Sequence, residues 1–295
     1  MGTLALIGTV ALLGAGPAAF AGTNGQIAFT RFSPASGAAV YALSPDGSGI
    51  HRIVKGGGDP AWSSDGRRLA YSRSGHIYVS DSNGAHARRI TGRRPVEAVQ
   101  PAWAPDGRRI VFASRGYIYT VHSDGRRLKR ITSRPFVTNP AGKRLKIRST
   151  DARPAWSPDG TTIAFVHHGN AGREEVWTMR PDGSRQRQLT HIDSRGWLSP
   201  NWSPDGRQLV YARSPGLWVI NADGSGAHVI TTGAGLIERG EPAWSPDGTL
   251  IAYSALTSSP QLARRIFVVG ADGSNPHVVS SATGAVSDSA PDWQP

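Results

Sequence analysis

The sequence predicts an all-β protein, a six-bladed β-propeller of four-stranded antiparallel blades. One twelve-residue unit recurs at residues 60–71 (PAWSSDGRRLAY), 101–112 (PAWAPDGRRIVF), 154–165 (PAWSPDGTTIAF), 200–211 (PNWSPDGRQLVY) and 242–253 (PAWSPDGTLIAY). Its tryptophans, Trp62, Trp103, Trp156, Trp202, Trp244 and Trp293, stand 41 to 53 residues apart, the period of a propeller blade. A sixth copy is split. Pro291-Asp292-Trp293 lies at the C-terminal end, and the apolar run that should follow it, Gln26-Ile27-Ala28-Phe29, lies at the other. The ring should therefore close by the C-terminal innermost strand joining the N-terminal blade.

Within each blade the Pro-Ala-Trp-Ser segment is read as the innermost strand. The Ser-Pro-Asp-Gly that follows is turn chemistry: proline sets φ, the aspartate oxygen accepts from nearby amides, and glycine tolerates positive φ. Short apolar runs such as Ile163-Ala164-Phe165 then suit a second strand buried on both faces, because every blade is covered by two neighbours. Runs typified by Leu217-Trp218-Val219-Ile220 make the third strand. An Asp-Gly-Ser turn leads to a fourth, which ends at an Ile-Thr pair. The recurrent indole should fill the wedge between blades, and its buried N–H needs an acceptor there. Fourth strands carry Arg52, Arg88, Arg89, Arg126, Arg127, Lys129, Arg130, Arg185 and Arg187, charges that blunt an exposed edge against pairing with other chains.

The connections are unequal. Those made by Asp-Gly turns open on one face and are uniform, whereas fourth-to-first and second-to-third connections open on the other and vary. Residues 133–153 form the longest, with Phe136, Lys143, Arg144 and Lys146; others are 167–175, 191–198, 232–241, 256–265 and 282–290. Binding residues concentrate on scaffold-held loops, so any site belongs to this long-loop face and the channel mouth beneath it. The residue before each innermost proline should point there: Asp59, Gln100, Arg153, Ser199, Glu241 and Ala290. Trp197 and Phe136 add hydrophobic anchors, and Arg144, Lys146 and Arg239 add charge, a mixture suited to a protein-binding patch.

The formal charge of +12 gives long-range attraction to polyanions. Arginine outnumbers lysine 29 to 4, which points to base composition of the gene as a contributor. Cysteine is absent, which excludes disulfides, zinc–thiolate sites and thiol nucleophiles. Residues 1–21 read as a signal peptide, an apolar run from Leu4 to Gly16 followed by Ala19-Phe20-Ala21, with cleavage after Ala21. Residues 22–295 form one propeller domain, placed outside the cytoplasm, in the periplasm or secreted, without stable membrane insertion and as a monomer.

The Pro-x-Trp-Ser-Pro-Asp-Gly…Ile-Ala-Tyr pattern, followed by Ile-Tyr-Val…Asp-Gly-Ser…Leu-Thr, resembles the WD40-like (PD40) propeller repeat of the TolB family over nearly all of residues 24–295. That resemblance implies six blades and an extracytoplasmic protein-binding role; in TolB the propeller docks onto a peptidoglycan-associated lipoprotein. The α/β domain that precedes the TolB propeller is not expected in residues 1–23. The same repeat precedes the hydrolase domain of prolyl-oligopeptidase-like peptidases, but no Gly-x-Ser-x-Gly elbow, phosphate loop, dinucleotide turn or His-Glu-x-x-His helix occurs.

The reading is a non-catalytic scaffold without cofactor or metal, binding an envelope protein or anionic cell-wall polymer. Nucleic acid is not expected, because the arginines do not interleave with aromatics as a stacking platform requires. The alternative is a carbohydrate-active lyase or hydrolase in the propeller mouth. His167, His168 and His191, with Glu174 and Glu175, are the clustered histidines on the long-loop face, and they are read as solvated loop residues.

Overall fold

The computed structural model describes residues 24–93, 96–133, 136–138, 144–146, 150–169, 173–191, 198–214, 216–232, 240–257, 263–281 and 285–295. The predicted leader lies outside the described residues. No helix among them is long and apolar enough to cross a membrane.

Six four-stranded antiparallel sheets form the blades. Blade 1 pairs Ser287–Trp293, Ile27–Ser33, Gly37–Leu43 and His51–Lys55 in that order, so the C-terminal strand is innermost beside the N-terminal one. Blade 2 (Gly58–Trp62, Arg68–Arg73, His76–Asp81, Arg88–Arg89) and blade 3 (Ala98–Trp103, Arg109–Ser114, Tyr117–His122, Lys129–Arg130) follow in simple order. Blade 4 holds Thr150–Trp156, Ile163–His168, Glu174–Met179 and Arg187–Gln188. Blades 5 and 6 start with short innermost strands, Asn201–Trp202 and Ala243–Trp244. The ring closes where Ile27 faces Trp293 and Arg31 faces Asp288. The Arg31 guanidinium grips the fully buried Asp288 carboxylate in a fork, Nε–Oδ1 2.7 Å and Nη2–Oδ2 2.8 Å.

A seventh, two-stranded sheet pairs Phe136–Thr138 with Arg144–Lys146. The sequence reading left this insertion without strands. Val137 pairs with Leu145 in the register, and two three-residue runs that belong to no repeat give no strand signal in the sequence.

The core is divided into six wedges, one at each blade boundary. Between blades 4 and 5, for example, Val166, Val176 and Leu189 meet Trp202, Leu209 and Tyr211. Each repeat tryptophan sits in the wedge shared with the preceding blade; Trp293 is 4% exposed and Trp62 5%. Burying one indole removes on the order of 200 Å² from water, roughly 5 kcal/mol as an upper bound. The expected acceptor is present at alternate boundaries. Trp103, Trp202 and Trp293 donate to the carbonyls of Ala61, Ala155 and Ala243. The indoles of Trp62, Trp156 and Trp244 have no hydrogen-bond partner among the described residues.

Two side-chain devices repeat around the ring. The Ile-Thr pair closes the fourth strand by a shared ladder: Ile90 N donates to the Ile77 carbonyl, while Ile77 N donates to Thr91 Oγ1, and Thr132, Thr190 and Ser280 act likewise. The Asp-Gly turns press on the neighbouring blade. A Cβ at Gly183 (φ +89) would collide with the Ile131 carbonyl, and one at Gly47 (φ +84) would lie 2.7 Å from that of Val279. Glycine is needed there for its backbone conformation and for the close approach.

Candidate functional site

Pro60, Pro101, Pro154, Pro200, Pro242 and Pro291 ring the axis, and with their neighbours they enclose a cavity of about 120 Å³ to which all six blades contribute. Asp59, Gln100, Arg153, Ser199, Glu241 and Ala290 all line it, as the repeat alignment predicts. The local cause is a β-bulge. In blades 2, 3, 4 and 1 the innermost strand carries one extra residue opposite the second, between Gly58 and Ala61, Val99 and Ala102, Ala152 and Ala155, and beside Ala28 and Thr30. Asp59, Gln100, Arg153 and Ala290 consequently adopt left-handed backbone, φ 50 to 54°. A bulge re-aims a side chain, here onto the propeller axis.

These side chains then link blade to blade. Asp59 Oδ2 accepts from Gln100 N (3.2 Å) and from Ser72 Oγ (2.8 Å), and Gln100 Oε1 accepts from Arg153 N (3.0 Å). Arg153 Nη2 lies 3.8 Å from Glu241 Oε1, an ion pair that spans from blade 4 to blade 6. Glu241 Oε2 accepts from Ala290 N (2.7 Å), and Asp59 N donates to Thr30 Oγ1 (2.9 Å), which completes the circuit through blade 1. Burial pushes the Glu241 carboxyl above its usual range, opposed by the Arg153 charge and reinforced by that of Asp59.

Two channel residues escaped the sequence reading. Asp292 and Asn201 occupy the position after the proline, where the other repeats have alanine. Asp292 Oδ2 accepts from Trp62 N (2.7 Å) and Asn201 Oδ1 from Trp244 N (3.0 Å), so both tie an innermost strand to the next blade. Asp292 keeps some surface towards the cavity, yet its carboxyl is enclosed by the ring, and this burial pushes its pKa up to about 7 against the pull of the Trp62 and Trp293 amides. The signal was available: a polar residue in an alanine column of the repeat.

Of the other predicted site residues, Phe136, Arg144 and Lys146 lie in the added hairpin, where only the backbone is described. Trp197 and Arg239 lie outside the described residues. On blade 4, the histidines are paired with carboxylates: His167 Nδ1 with Asp151 Oδ1 at 2.8 Å and His168 Nδ1 with Glu174 Oε1 at 3.3 Å. Glu174 Oε2 also accepts from Leu198 N (2.9 Å), and Glu175 accepts from the Thr190 hydroxyl. His191 is exposed. No group of three or more His, Asp or Glu able to hold a metal ion occurs among the described residues.

TolB of the Tol-Pal system from Anaeromyxobacter dehalogenans (strain 2CP-C) is 37% identical over 92 residues, 30% of this chain and 20% of that protein. The uncharacterized peptidase YuxL from Bacillus subtilis (strain 168) is 41% identical over 69 residues, 23% of this chain and 10% of the peptidase. The chain thus spans a fifth or less of the length of these curated relatives. Among solved structures, TolB from Acinetobacter baumannii matches with a TM-score of 0.73 at 18% identity, covering 92% of this chain and 67% of that one. An oligogalacturonate lyase from Vibrio parahaemolyticus matches with 0.53 at 14% identity, covering 83% and 71%. At such identities the likeness is one of fold. The family model for the TolB beta propeller domain, PD40, matches residues 60–295, and the chain belongs to that family.

Proposed function

We propose that this chain is an exported, non-catalytic propeller scaffold that binds an envelope protein or anionic envelope polymer through its long-loop face and channel mouth. The observation that carries this reading is how the mouth residues are used. Asp59, Gln100 and Glu241 already accept amides of adjoining blades, so they present a rigid polar surface rather than a free acid and base. Arg153, held against Glu241, would meet a partner at the centre of that surface. Phe136 and Trp197 would supply apolar anchors, with Arg144, Lys146 and Arg239 steering acidic groups towards them. The Tol-Pal system named for the TolB relatives is consistent with an envelope partner.

The test is capture of envelope components by the full chain and by its W197A/R153A/E241A variant, with circular dichroism to establish that the variant is folded. One protein retained by the native chain at moderate salt and lost by the folded variant supports the scaffold. Identical salt-sensitive retention by both refutes the site. Turnover of an acidic polysaccharide that disappears in E241Q would replace the scaffold by the lyase reading.

A further inference from the structure

The charge of +12 is not spread around the ring. Residues 52–148, a third of the chain centred on blades 2 and 3, hold 21 of the 33 lysines and arginines but 6 of the 21 acids, a net +15; residues 149–295 carry a net −3. A base-composition bias towards arginine acts on all six repeats alike and does not account for this asymmetry.

On the outer rim the asymmetry becomes a surface. The paired positions of the fourth strand are both cationic in blades 2 and 3, Arg88-Arg89 and Lys129-Arg130, whereas blades 5 and 6 place histidine and valine there. All four cations are exposed, as are Arg126 and Arg127 in the preceding turn. Edge protection would be met by one charge per blade. Arg88 reaches across the blade boundary and donates to the Ser123 carbonyl (2.5 Å), which joins the two groups into one patch. Among the described residues, Asp124, 3.9 Å from Arg126, is the one carboxylate in ion-pair reach of these six cations. Arg127 is held in left-handed backbone (φ 53°), as are His86, Arg185 and Asn275 at the equivalent turn position of blades 2, 4 and 6 (φ 51 to 52°), where blades 1 and 5 use Gly49 and Gly226 (φ 65°). An arginine is disfavoured there relative to glycine.

We propose that the outer rim of blades 2 and 3 binds a linear, phosphate-bearing polymer that lacks bases. Guanidinium forks match phosphate oxygens in pairs, and five of the six cations are arginine. Each neighbouring ring has one face taken: Arg130 lies 4.8 Å over the Tyr117 ring, and Tyr119 and Tyr78 stack on Phe112 and Tyr71. The rim thus offers a base-bearing strand less aromatic surface than it offers a phosphate chain cations. The rim is an arc, which a flexible chain can follow and a flat headgroup surface cannot. This surface is separate from the channel mouth and does not rest on the scaffold reading.

The experiment measures binding of labelled inorganic polyphosphate to the full chain between about 50 and 200 mM salt. R89Q/K129Q/R130Q is compared with R180Q/R187Q/R207Q, which removes the same charge from blades 4 and 5. The rim variant should bind at least about tenfold more weakly and lower the log–log salt slope by about 2, since each phosphate contact on a flexible strand contributes about 0.7. The matched control should lose less than about threefold. R127G should weaken binding while its Tm stays level or rises, which separates lost contact from lost fold. Equal loss in both triple variants overturns the proposal in favour of net charge alone. Stronger rim-dependent binding of phosphatidylglycerol vesicles, of oligo-dT or of polyglutamate than of polyphosphate overturns it in favour of a membrane, a nucleic acid or a carboxylate polymer.

Discussion

Replacing Asp292 by asparagine should stabilise the propeller most above neutral pH, progressively less as the pH falls, and not at all at about pH 4 and below. The Asp292 carboxyl is raised from 3.8 to about 7 by burial. At and below about pH 4 it is protonated in both folded and unfolded chains. Between about 4 and 7 the unfolded chain releases a proton that the folded ring retains, so stability falls as pH rises, and above 7 the loss is complete. Taken in full, a rise from 3.8 to about 7 corresponds to roughly 4 kcal/mol. Water entering the cavity that Asp292 lines reduces this, and about 1–3 kcal/mol is the expected effect. Asparagine keeps an Oδ1 acceptor for the Trp62 amide, now 2.7 Å from Asp292 Oδ2, and has no proton to lose. Thermal unfolding of the native chain and D292N at pH 5 and pH 8 reads the difference. D292N should gain about 2–10 °C at pH 8 and roughly two fifths of that at pH 5, where the unfolded carboxyl is ionised and the folded one is only part-way to its loss. An equal or lower Tm for D292N at pH 8, or the same shift at both pH values, would refute the reasoning.

Other sites give sharper structural tests. Gly183→Ala should cost more than about 2 kcal/mol in urea unfolding, because the new Cβ meets the Ile131 carbonyl of the preceding blade at φ +89°. Asp288→Ala strips the buried partner from Arg31 and should destabilise by about 3–5 kcal/mol, with limited proteolysis cutting first near the C-terminal strand that this pair fastens. Ser63→Ala should cost about 1–2 kcal/mol and move acid unfolding to higher pH. The Ser63 hydroxyl bond holds Asp65 below its usual range against some burial, and the stability that this depressed carboxyl contributes is present above pH 3.8 and lost as pH falls through the folded value.

Sequence periodicity was enough to lay out the blades because all six copies carry the wedge indole, five carry the full Asp-Gly turn, and four fourth strands close on an Ile-Thr pair or its Leu-Thr or Val-Ser equivalent. A pattern repeated that often cannot be shifted by one residue without exposing every copy. The direction of Asp59, Gln100, Arg153 and Glu241 could likewise be read from their place before an invariant proline of the repeat. What they touch could not. The bulges that turn Asp59, Gln100, Arg153 and Ala290 into left-handed backbone have no glycine to announce them. The Arg153–Glu241 contact joins residues of blades two apart, and no periodic argument pairs them. Asp292 illustrates the opposite failure: its deviation from alanine was visible, but its consequence depends on how deeply the ring encloses it. The hairpin of Phe136–Thr138 and Arg144–Lys146 was missed because it belongs to no repeat.

The split first blade also sets how the ring responds to force. Gly25 N donates to the Gln294 carbonyl (3.0 Å) and Gln294 N to that of Gln26 (2.8 Å), so residues 24 and 295 lie at the same end of one antiparallel pair. Tension between them opens these bonds one after another, as a zipper, rather than loading them together. The first large side chain to be drawn out is Trp293, the plug of the wedge between blades 6 and 1. Under tension between residues 24 and 295 the seam is thus the line along which the ring opens first. Joining residue 295 to residue 24 with a short linker and cutting the chain instead in the Asp-Gly turn at residues 223–226 would move that line to blade 5 and leave the order of blades around the axis unchanged.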